Sequence, residues 1–232
     1  MDREKKRVPS YEGVLRSHMI QVPTCIAECS GIRIFGRRIK SLVFSTDAAI
    51  IKNINADAVI AVYPFTPQPA ITRAVLEAAD MPVLAGIGGG TTKGARVLRL
   101  GCDAEDQGAI GVVVNAPIPS EIIRDLKSNL EVPIVVTVVS DRTNIAERVE
   151  AGASILNVSA AADTARIVAT IRQLFPHLPI IATGGPTEES ILRTIEAGAN
   201  AITYTPPTTG ELFAGLMTKY RQMMVEDAAA EQ

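Results

Sequence analysis

The stretches that decide the fold are residues 133–157, PIVVTVVSDRTNIAERVEAGASILN, and residues 179–203, PIIATGGPTEESILRTIEAGANAIT, which follow the same pattern. Each copy begins with an aliphatic run, continues through a turn into an amphipathic segment, and reaches a second aliphatic run after Gly152 or Gly198. This pattern predicts a strand, a helix that ends at the glycine, and a second strand. Repetition of such units is typical of a parallel sheet whose strands alternate with helices.

The same alternation extends through most of the chain. We predict strands at 41–45, 58–63, 82–87, 110–115, 134–139, 154–158, 180–183 and 201–205. Each is followed by a helix-compatible stretch, at 47–55, 68–79, 95–100 and beyond, 120–130, 144–150, 163–175, 188–197 and 210–225. Eight strand–helix units favour a closed TIM (β/α)8 barrel of the α/β class, because an open doubly wound sheet usually stops near about six strands.

The chain divides into two parts in this interpretation. Residues 1–38 form an N-terminal extension, and residues 39–232 form a single (β/α)8 barrel domain. Ile32-Arg-Ile-Phe35, followed by Gly36, predicts a short strand or hairpin ahead of the first barrel strand. We expect this extension to plug or brace the N-terminal face of the barrel.

The composition restricts the classes of protein that fit. Hydrophobic residues make up 47% of the 232 residues and aromatic residues only 4%, which favours a large aliphatic core. The net charge is −2 and the basic residues are scattered, so we expect no nucleic-acid partner. The apolar runs are far shorter than the roughly 20 residues that span a membrane. No apolar run of the kind found in secretory signals follows the N-terminus, and we predict a cytoplasmic protein with no membrane partner.

The cysteines and histidines are poorly placed for chemistry. Cys25 and Cys29 have no second Cys or His pair to complete a zinc site, so we predict that they and Cys102 are reduced thiols and that no metal is bound. Active sites of TIM barrels lie at the C-terminal ends of the strands. His18 falls in the extension and His177 precedes the seventh strand, so both lie away from that end.

The strongest local signal for a ligand follows the seventh strand, in Thr183-Gly184-Gly185-Pro186-Thr187. Two glycines allow backbone amides to approach an anion, and Thr187 can cap the next helix. We expect the loop after the eighth strand, with Thr208, Thr209 and Gly210, to share a phosphate with it. The alternative is that Gly184 and Gly185 only form a tight turn. Since only the second repeat copy has these glycines, we interpret the residues shared by both copies as scaffold.

Candidate catalytic groups are three residues in loops that follow predicted strands: Asp47, Lys93 and Asp141. Lys93 belongs to the glycine-rich segment 86–94, which predicts an anion nest or a mobile flap, or else a loop that is only flexible. Asp47 and Asp141 have an alternative as helix N-caps. Asn115 and Asn157 would add hydrogen-bonding amides to the ligand site.

The segment 182–202, ATGGPTEESILRTIEAGANAI, together with the loop after the eighth strand, resembles the phosphate-binding quarter of the ribulose-phosphate-binding barrel superfamily. This superfamily includes ketodeoxyphosphogluconate aldolases, N-acetylmannosamine-6-phosphate epimerases and thiamine-phosphate synthases. The segment is also similar to flavin-binding barrels such as nitronate monooxygenases. The aldolases carry a Schiff-base lysine in the sixth strand, whereas residues 154–159 of this chain contain none, which disfavours an imine mechanism.

The resemblance implies a barrel that binds a small phosphorylated metabolite, as an isomerase- or lyase-type enzyme of central or sugar metabolism that needs no cofactor. One alternative is a non-catalytic regulatory barrel that senses a phosphorylated ligand. Another is an FMN-dependent oxidoreductase, which would require flavin. A homo-oligomer is a further expectation, although no interface stands out in the sequence.

Overall fold

The described part of the chain is a closed barrel of eight parallel strands surrounded by helices. The computed structural model of the protein describes residues 9, 11, 13–14 and 19–230, with the backbone alone for residues 227–230. Each barrel strand pairs with its neighbours in sequence order, and the last strand pairs with the first. The prediction of a TIM (β/α)8 barrel is therefore confirmed. His18 lies outside the described residues.

All eight predicted barrel strands are present at their expected positions. A short antiparallel hairpin precedes them, formed by β1 (Ile32–Ile34) and β2 (Arg37–Ile39). The barrel strands are β3 (Ser41–Phe44), β4 (Ala58–Ala61), β5 (Val83–Gly88), β6 (Gly111–Val114), β7 (Ile134–Val138), β8 (Ile155–Val158), β9 (Ile180–Thr183) and β10 (Ala201–Tyr204). The pairing register of β5 and β6 shifts between Gly86 and Gly88, so the barrel bends at this point.

A helix follows every barrel strand. These helices are α1 (Ala48–Lys52), α2 (Pro69–Ala78), α3 (Ala95–Asp106), α4 (Ser120–Asn129), α5 (Ile145–Ala151), α6 (Thr164–Leu174), α7 (Glu188–Glu196) and α8 (Thr209–Ala230). Gly152 ends α5 with a left-handed backbone, and Gly198 follows α7 with φ +109°, as the repeat predicts. No helix within the described residues combines the length and the apolar character needed to cross a membrane.

The barrel interior is filled by aliphatic side chains up to the middle of the strands. The inward-facing cluster also contains three isoleucines of the hairpin, so the hairpin packs against the N-terminal end of the barrel. Members of this cluster are Ile32, Ile34, Ile39, Leu42, Ala58, Ile60, Leu84, Val113, Val135, Ile155, Ile181 and Ala201. Because side chains alternate between the two faces of a strand, this cluster identifies which later residues point into the barrel mouth.

A hydrogen-bond network joins the loops at the N-terminal end. The Arg172 guanidinium donates to the carbonyl oxygens of Gly198, Pro176 and Leu178 at 2.8–3.2 Å, and to Asn200 Oδ1 at 2.7 Å. Asn200 Nδ2 donates in turn to Ser30 Oγ at 2.8 Å. Partial burial lowers the pKa of Arg172 below its usual value. The polar groups of this network are therefore paired with one another or with backbone carbonyls.

Residues 19–29 pack along the outer wall of the barrel between α1 and α7. Ile20 forms a parallel bridge with Ile54, directly after α1. Val22 packs against the core on both sides, and Cys25 and Ile26 are buried beside α7 in the 3-10 helix Thr24–Glu28. This is the place where the eighth helix of a (β/α)8 barrel packs. Residues 211–226 of α8 are instead exposed throughout.

Candidate functional site

Four polar side chains form a layer inside the C-terminal mouth of the barrel. Thr137, Asn157, Thr183 and Thr203 each lie two residues beyond a member of the inward-facing aliphatic cluster, on the consecutive strands β7 to β10. Thr137 pairs in register with Asn157, and Thr183 with Thr203. We call these four residues the polar layer. Thr137 in the first copy of the repeat is equivalent to Thr183 in the second, and Asn157 is equivalent to Thr203. All four residues therefore belong to the repeat.

The polar layer contains two buried atoms that have no hydrogen-bond partner in the structure: Asn157 Oδ1 and Thr203 Oγ1. Asn157 is 9% exposed and Thr203 is 6% exposed. Asn157 Nδ2 lies 3.5 Å from Thr137 Oγ1, and Thr183 Oγ1 donates to Ser159 Oγ at 3.1 Å. Leaving a buried polar atom unpaired costs about 1–3 kcal/mol, so a water or a ligand group that enters the mouth and pairs with these atoms is favoured.

The opposite half of the mouth is largely apolar. By the same alternation Phe44, Val62, Gly86 and Asn115 face inward at the ends of β3 to β6. A Cβ on Gly86 would lie 2.8 Å from the carbonyl oxygen of Ala61, so no larger residue fits there. The mouth therefore offers hydrogen bonds on one side and aliphatic or aromatic contacts on the other.

The predicted anion loop lies next to the polar layer. Thr187 is the N-cap of α7 and forms a capping box with Ser190. Gly185 has φ +83°, and a Cβ there would meet Ser190 Oγ at 2.6 Å. A Cβ on Gly184 would meet Ile191 at 2.7 Å. Both glycines are thus needed for the tight turn, as in the alternative in which they only form a turn. The N-terminus of α7 nevertheless adjoins this loop.

Basic side chains adjoin this loop on the side of α6. A cleft of ≈ 620 Å³ between α6 and α7, here called the α6–α7 cleft, is lined by Arg166, Arg193 and the glycine loop. Thr183 also lines it, which connects the cleft to the polar layer. Guanidinium groups beside a helix N-terminus are suited to an anion. Sequence reasoning missed both arginines because they lie on helices, whereas only the loops after the strands were considered.

The loop after β10 has a different electrostatic character. The cleft of ≈ 1020 Å³ between this loop and the glycine loop, here called the rim cleft, is lined by Glu188 and Glu211 and by no basic residue among the described residues. Thr208 donates from N and from Oγ1 to Glu211 at 2.7 and 2.8 Å, which lowers the pKa of Glu211. Thr209 donates to Asp47. The hydroxyls predicted to hold phosphate are therefore occupied by carboxylates, and Gly210 lies one residue further on.

Asp47 is the N-cap of α1. Its Oδ1 accepts from the amides of Ala49 and Ile50 at 2.8 and 3.3 Å, and its Oδ2 accepts from Thr209. These hydrogen bonds, led by that of Thr209, lower the pKa of Asp47. A carboxylate held in this way is a weak base at neutral pH. The contact also joins the first and last loops of the barrel rim.

Asp141 lies on the loop after β7 and is exposed. Its carboxylate accepts from Arg166 at 3.1 Å, and this hydrogen bond lowers the pKa of Asp141. Arg166 also pairs with Asp163 at 3.1 Å. Asp141 therefore orients an arginine of the α6–α7 cleft.

Lys93 lies on the far side of the mouth, in the loop after β5. The loop folds back on itself, because Gly89 N donates to the carbonyl oxygen of Thr92 and Asn115 N donates to that of Gly88. Lys93 is exposed and takes part in none of the ion pairs of the described residues. The three predicted catalytic residues thus lie on loops after β3, β5 and β7, which are not adjacent strands.

The residues that make up the polar layer were only partly predicted. Asn157 and Thr183 were singled out, whereas Thr137 and Thr203 were not. Their signal was a threonine within an otherwise aliphatic strand, at the repeat position equivalent to Thr183 for Thr137 and to Asn157 for Thr203. Among the described residues no group of three His, Cys, Asp or Glu side chains could hold a metal ion. Cys25 and Cys29 are buried, and burial raises the pKa of Cys29 to about 11.

Solved structures with the same architecture are distant in sequence. A 2,3-dimethylmalate lyase of the PEP mutase/isocitrate lyase superfamily superposes with a TM-score of 0.62 at 12% identity, over 88% of this chain and 86% of that one. The 4-hydroxy-tetrahydrodipicolinate synthase of Methylacidiphilum fumariolicum SolV gives 0.56 at 16%, over 75% and 68%. A dihydrodipicolinate synthase of Agrobacterium tumefaciens gives 0.54 at 15%, over 78% and 71%. These similarities show the TIM-barrel fold. No protein-family model and no curated protein matches the sequence.

Proposed function

We propose that this chain is a lyase- or isomerase-type enzyme that binds a small phosphorylated metabolite in the barrel mouth. The observation that carries the proposal is the pair of buried, unpartnered atoms, Asn157 Oδ1 and Thr203 Oγ1. Asn157 Oδ1 requires a donor, so the ligand presents a hydroxyl or amide hydrogen to it. The apolar half of the mouth would contact the carbon skeleton.

The phosphate is proposed to lie in the α6–α7 cleft, against the glycine loop and Arg193. This position differs from the one expected from the sequence, because the loop after β10 brings carboxylates rather than donors. The same glycine-rich turn supports the resemblance to ribulose-phosphate-binding barrels. The similarity of the fold to a lyase and to two synthases is consistent with the reaction class.

Proton transfer is assigned to Lys93 within this proposal. Asp47 and Asp141 both have lowered pKa values and structural partners, so they are poorly suited to accept a proton from substrate at neutral pH. Lys93 is exposed on a loop flanked by glycines with positive φ, including Gly89 and Gly94. Such a loop can close over a ligand and bring the Lys93 ammonium group to it as a proton donor.

The test begins with the ligand that copurifies with the native protein. Mass spectrometry of gently purified protein is expected to detect a phosphorylated metabolite, and Asn157→Leu and Arg193→Gln should each reduce its occupancy at least tenfold. Lys219→Gln, on the exposed helix α8, is the matched control for loss of a positive charge. Retention of the same ligand by both mouth variants would contradict the proposed site.

A second candidate function is favoured because Asp47 and Asp141 bond to Thr209 and Arg166 of the protein itself and are not free for catalysis. A regulatory barrel that senses the same phosphorylated ligand would bind it without converting it. Incubation with the copurified metabolite, followed by 31P NMR, separates the two. Conversion that Lys93→Met abolishes while binding persists supports the enzyme, and an unchanged ligand supports the sensor.

A further inference from the structure

Helix α8 carries a continuous apolar stripe on a helix that is exposed along its described length. Between 40% and 69% of the surface of each apolar residue is accessible. The residues are Leu212, Phe213, Leu216, Met217, Tyr220, Met223 and Met224. Their spacing of three and four residues places them on one side of the helix. We call this set the α8 stripe.

The α8 stripe covers about 140° of the helix circumference at roughly 100° per residue. The opposite side carries the polar residues Glu211, Thr218, Arg221 and Gln222, together with Ala214 and the 70% exposed Val225. A run of large apolar side chains along one side of an exposed helix is normally covered by another surface. A contiguous apolar stripe of this size is unusual on a monomer and marks an interaction site.

The barrel of the same chain does not provide that surface. The eighth helix of a (β/α)8 barrel would cover the outer wall between α7 and α1. Residues 19–29 already fill that wall, with Val22 against both flanking cores and Ile26 only 1% exposed. The α8 stripe therefore has no place left to pack on its own barrel wall.

We propose that the α8 stripe is a self-association surface that packs against the α8 stripe of a second copy of this chain. Its seven side chains expose roughly 700 Å² together, at 150–250 Å² for a fully exposed large side chain. A standard interface buries about 800 Å² on each partner, so one stripe pairing accounts for most of it. A two-fold pairing covers both stripes at once, since each copy supplies the same patch.

The charges beside the stripe favour a protein partner over a lipid surface or nucleic acid. Glu211 and Glu226 balance Lys219 and Arg221 among the described side chains of α8, so the helix has no net charge. Helices that lie on membranes are rich in lysine and arginine on the polar face. Three methionines in the stripe give an adaptable contact between like surfaces.

The test compares both faces of α8 in the full-length protein. Light scattering after size exclusion is expected to give twice the 24.6 kDa mass of the chain. Leu216→Glu with Tyr220→Glu should shift the protein to the monomer mass and weaken association at least 100-fold. Thr218→Glu with Gln222→Glu adds the same charge to the opposite face and should leave the dimer intact. Circular dichroism checks that both variants fold.

Disulfide trapping tests the arrangement of the two helices. In a Cys102→Ala background, Leu216→Cys should form a covalent dimer under mild oxidation, whereas Thr218→Cys should not. A wild-type monomer at 100 µM, a dimer that survives the Leu216 and Tyr220 changes, or trapping through position 218 instead of 216 would each overturn the proposal. Cosedimentation of a monomeric wild type with phosphatidylglycerol vesicles would overturn it in favour of a membrane surface.

Discussion

Two polar networks, one at each end of the barrel, differ in how completely their hydrogen bonds are formed. At the N-terminal end, Arg172, Asn200 and Ser30 pair with one another and with backbone carbonyls, above a hairpin that fills the barrel. At the C-terminal end, Asn157 and Thr203 each retain a buried atom without a partner. A closed network stabilises the fold, whereas an incomplete one is energetically costly unless a ligand completes it. This difference supports the proposal that the Arg172 network stabilises the fold and that the mouth binds a ligand.

The largest effect is expected at the hairpin. Ile39→Ala should lower the free energy of unfolding by about 3–4 kcal/mol, because Ile39 is only 2% exposed and its removal leaves a cavity at the closed end. Phe35→Ala, at the 67% exposed turn of the same hairpin, is the control and should change it by less than about 0.5 kcal/mol. Urea unfolding measures both. Equal effects would mean that the hairpin does not support the barrel.

The next effect concerns two arginines on the same helix, α6. Arg172→Ala should cost about 2–3 kcal/mol, because carbonyl groups and Asn200 lose a charged donor. Arg166→Ala breaks two exposed ion pairs near the mouth and should cost less than about 1 kcal/mol. Urea unfolding without ligand is again the measurement. A larger loss for Arg166 would reverse the assignment of stability to the closed end.

Two asparagines, one at each end, allow a direct comparison. Asn200→Leu should cost about 2 kcal/mol, since Asn200 accepts from Arg172 and from Ile180 N. Asn157→Leu removes an unpaired oxygen and should leave the free energy of unfolding within about 1 kcal/mol of the wild type, or raise it. Thermal and urea unfolding of the two variants measure both changes. A destabilisation by Asn157→Leu equal to that by Asn200→Leu would show that both ends are structural.

The pH dependence of stability also distinguishes the two ends. Burial raises the pKa of Cys29 from 9.0 to about 11, so the folded state favours the thiol. That contribution is present below pH 9 and is lost as the pH rises through about 11. Unfolding free energy is measured against pH for the wild type and for Cys29→Ala, and the difference between the two curves isolates the contribution of Cys29. A flat difference between pH 8 and 11 would contradict the raised pKa.

At the mouth the sign is opposite. Hydrogen bonds from Thr209 and Thr208 lower the pKa values of Asp47 and Glu211, so both contribute stability above the ordinary carboxyl range. This stability should be lost as the pH falls through the lowered values. Thr209→Val removes the hydrogen bond to Asp47 and should reduce the loss of unfolding free energy at acid pH, measured by urea unfolding across the acid range. An unchanged acid limb in this variant would mean that the contact contributes nothing measurable.

The fold was predictable because its signals are local. Aliphatic runs, helix-ending glycines and the repeat identify the strands from short windows, and the eight predicted strands are all present. The pairing of Thr209 with Asp47 joins residues 162 apart in the chain, so no window contains it. Arg166 and Arg193 reach the glycine loop from helices, which sequence spacing alone did not indicate.

The repeat was interpreted too narrowly. We expected its shared positions to be scaffold and only the glycines of the second copy to mark a site. The structure places Thr137 and Thr183, and likewise Asn157 and Thr203, at equivalent inward positions of the mouth. A side chain at the end of a strand faces the mouth only if it points inward and lies beyond the aliphatic interior. How far that interior extends depends on all eight strands, so neither copy of the repeat reveals it alone.

The segment that replaces the eighth helix also constrains the order of assembly during synthesis. Residues 19–30 leave the ribosome before any barrel strand, yet the 3-10 helix in this segment packs on α7 and Ser30 accepts from Asn200, 170 positions later. Ile20 and Val22 have early partners around α1, whereas Cys25 and Ile26 depend on α7, which is synthesised much later. Contacts of such long range close slowly. The α7 side of this wall can therefore close only after α7 has been synthesised.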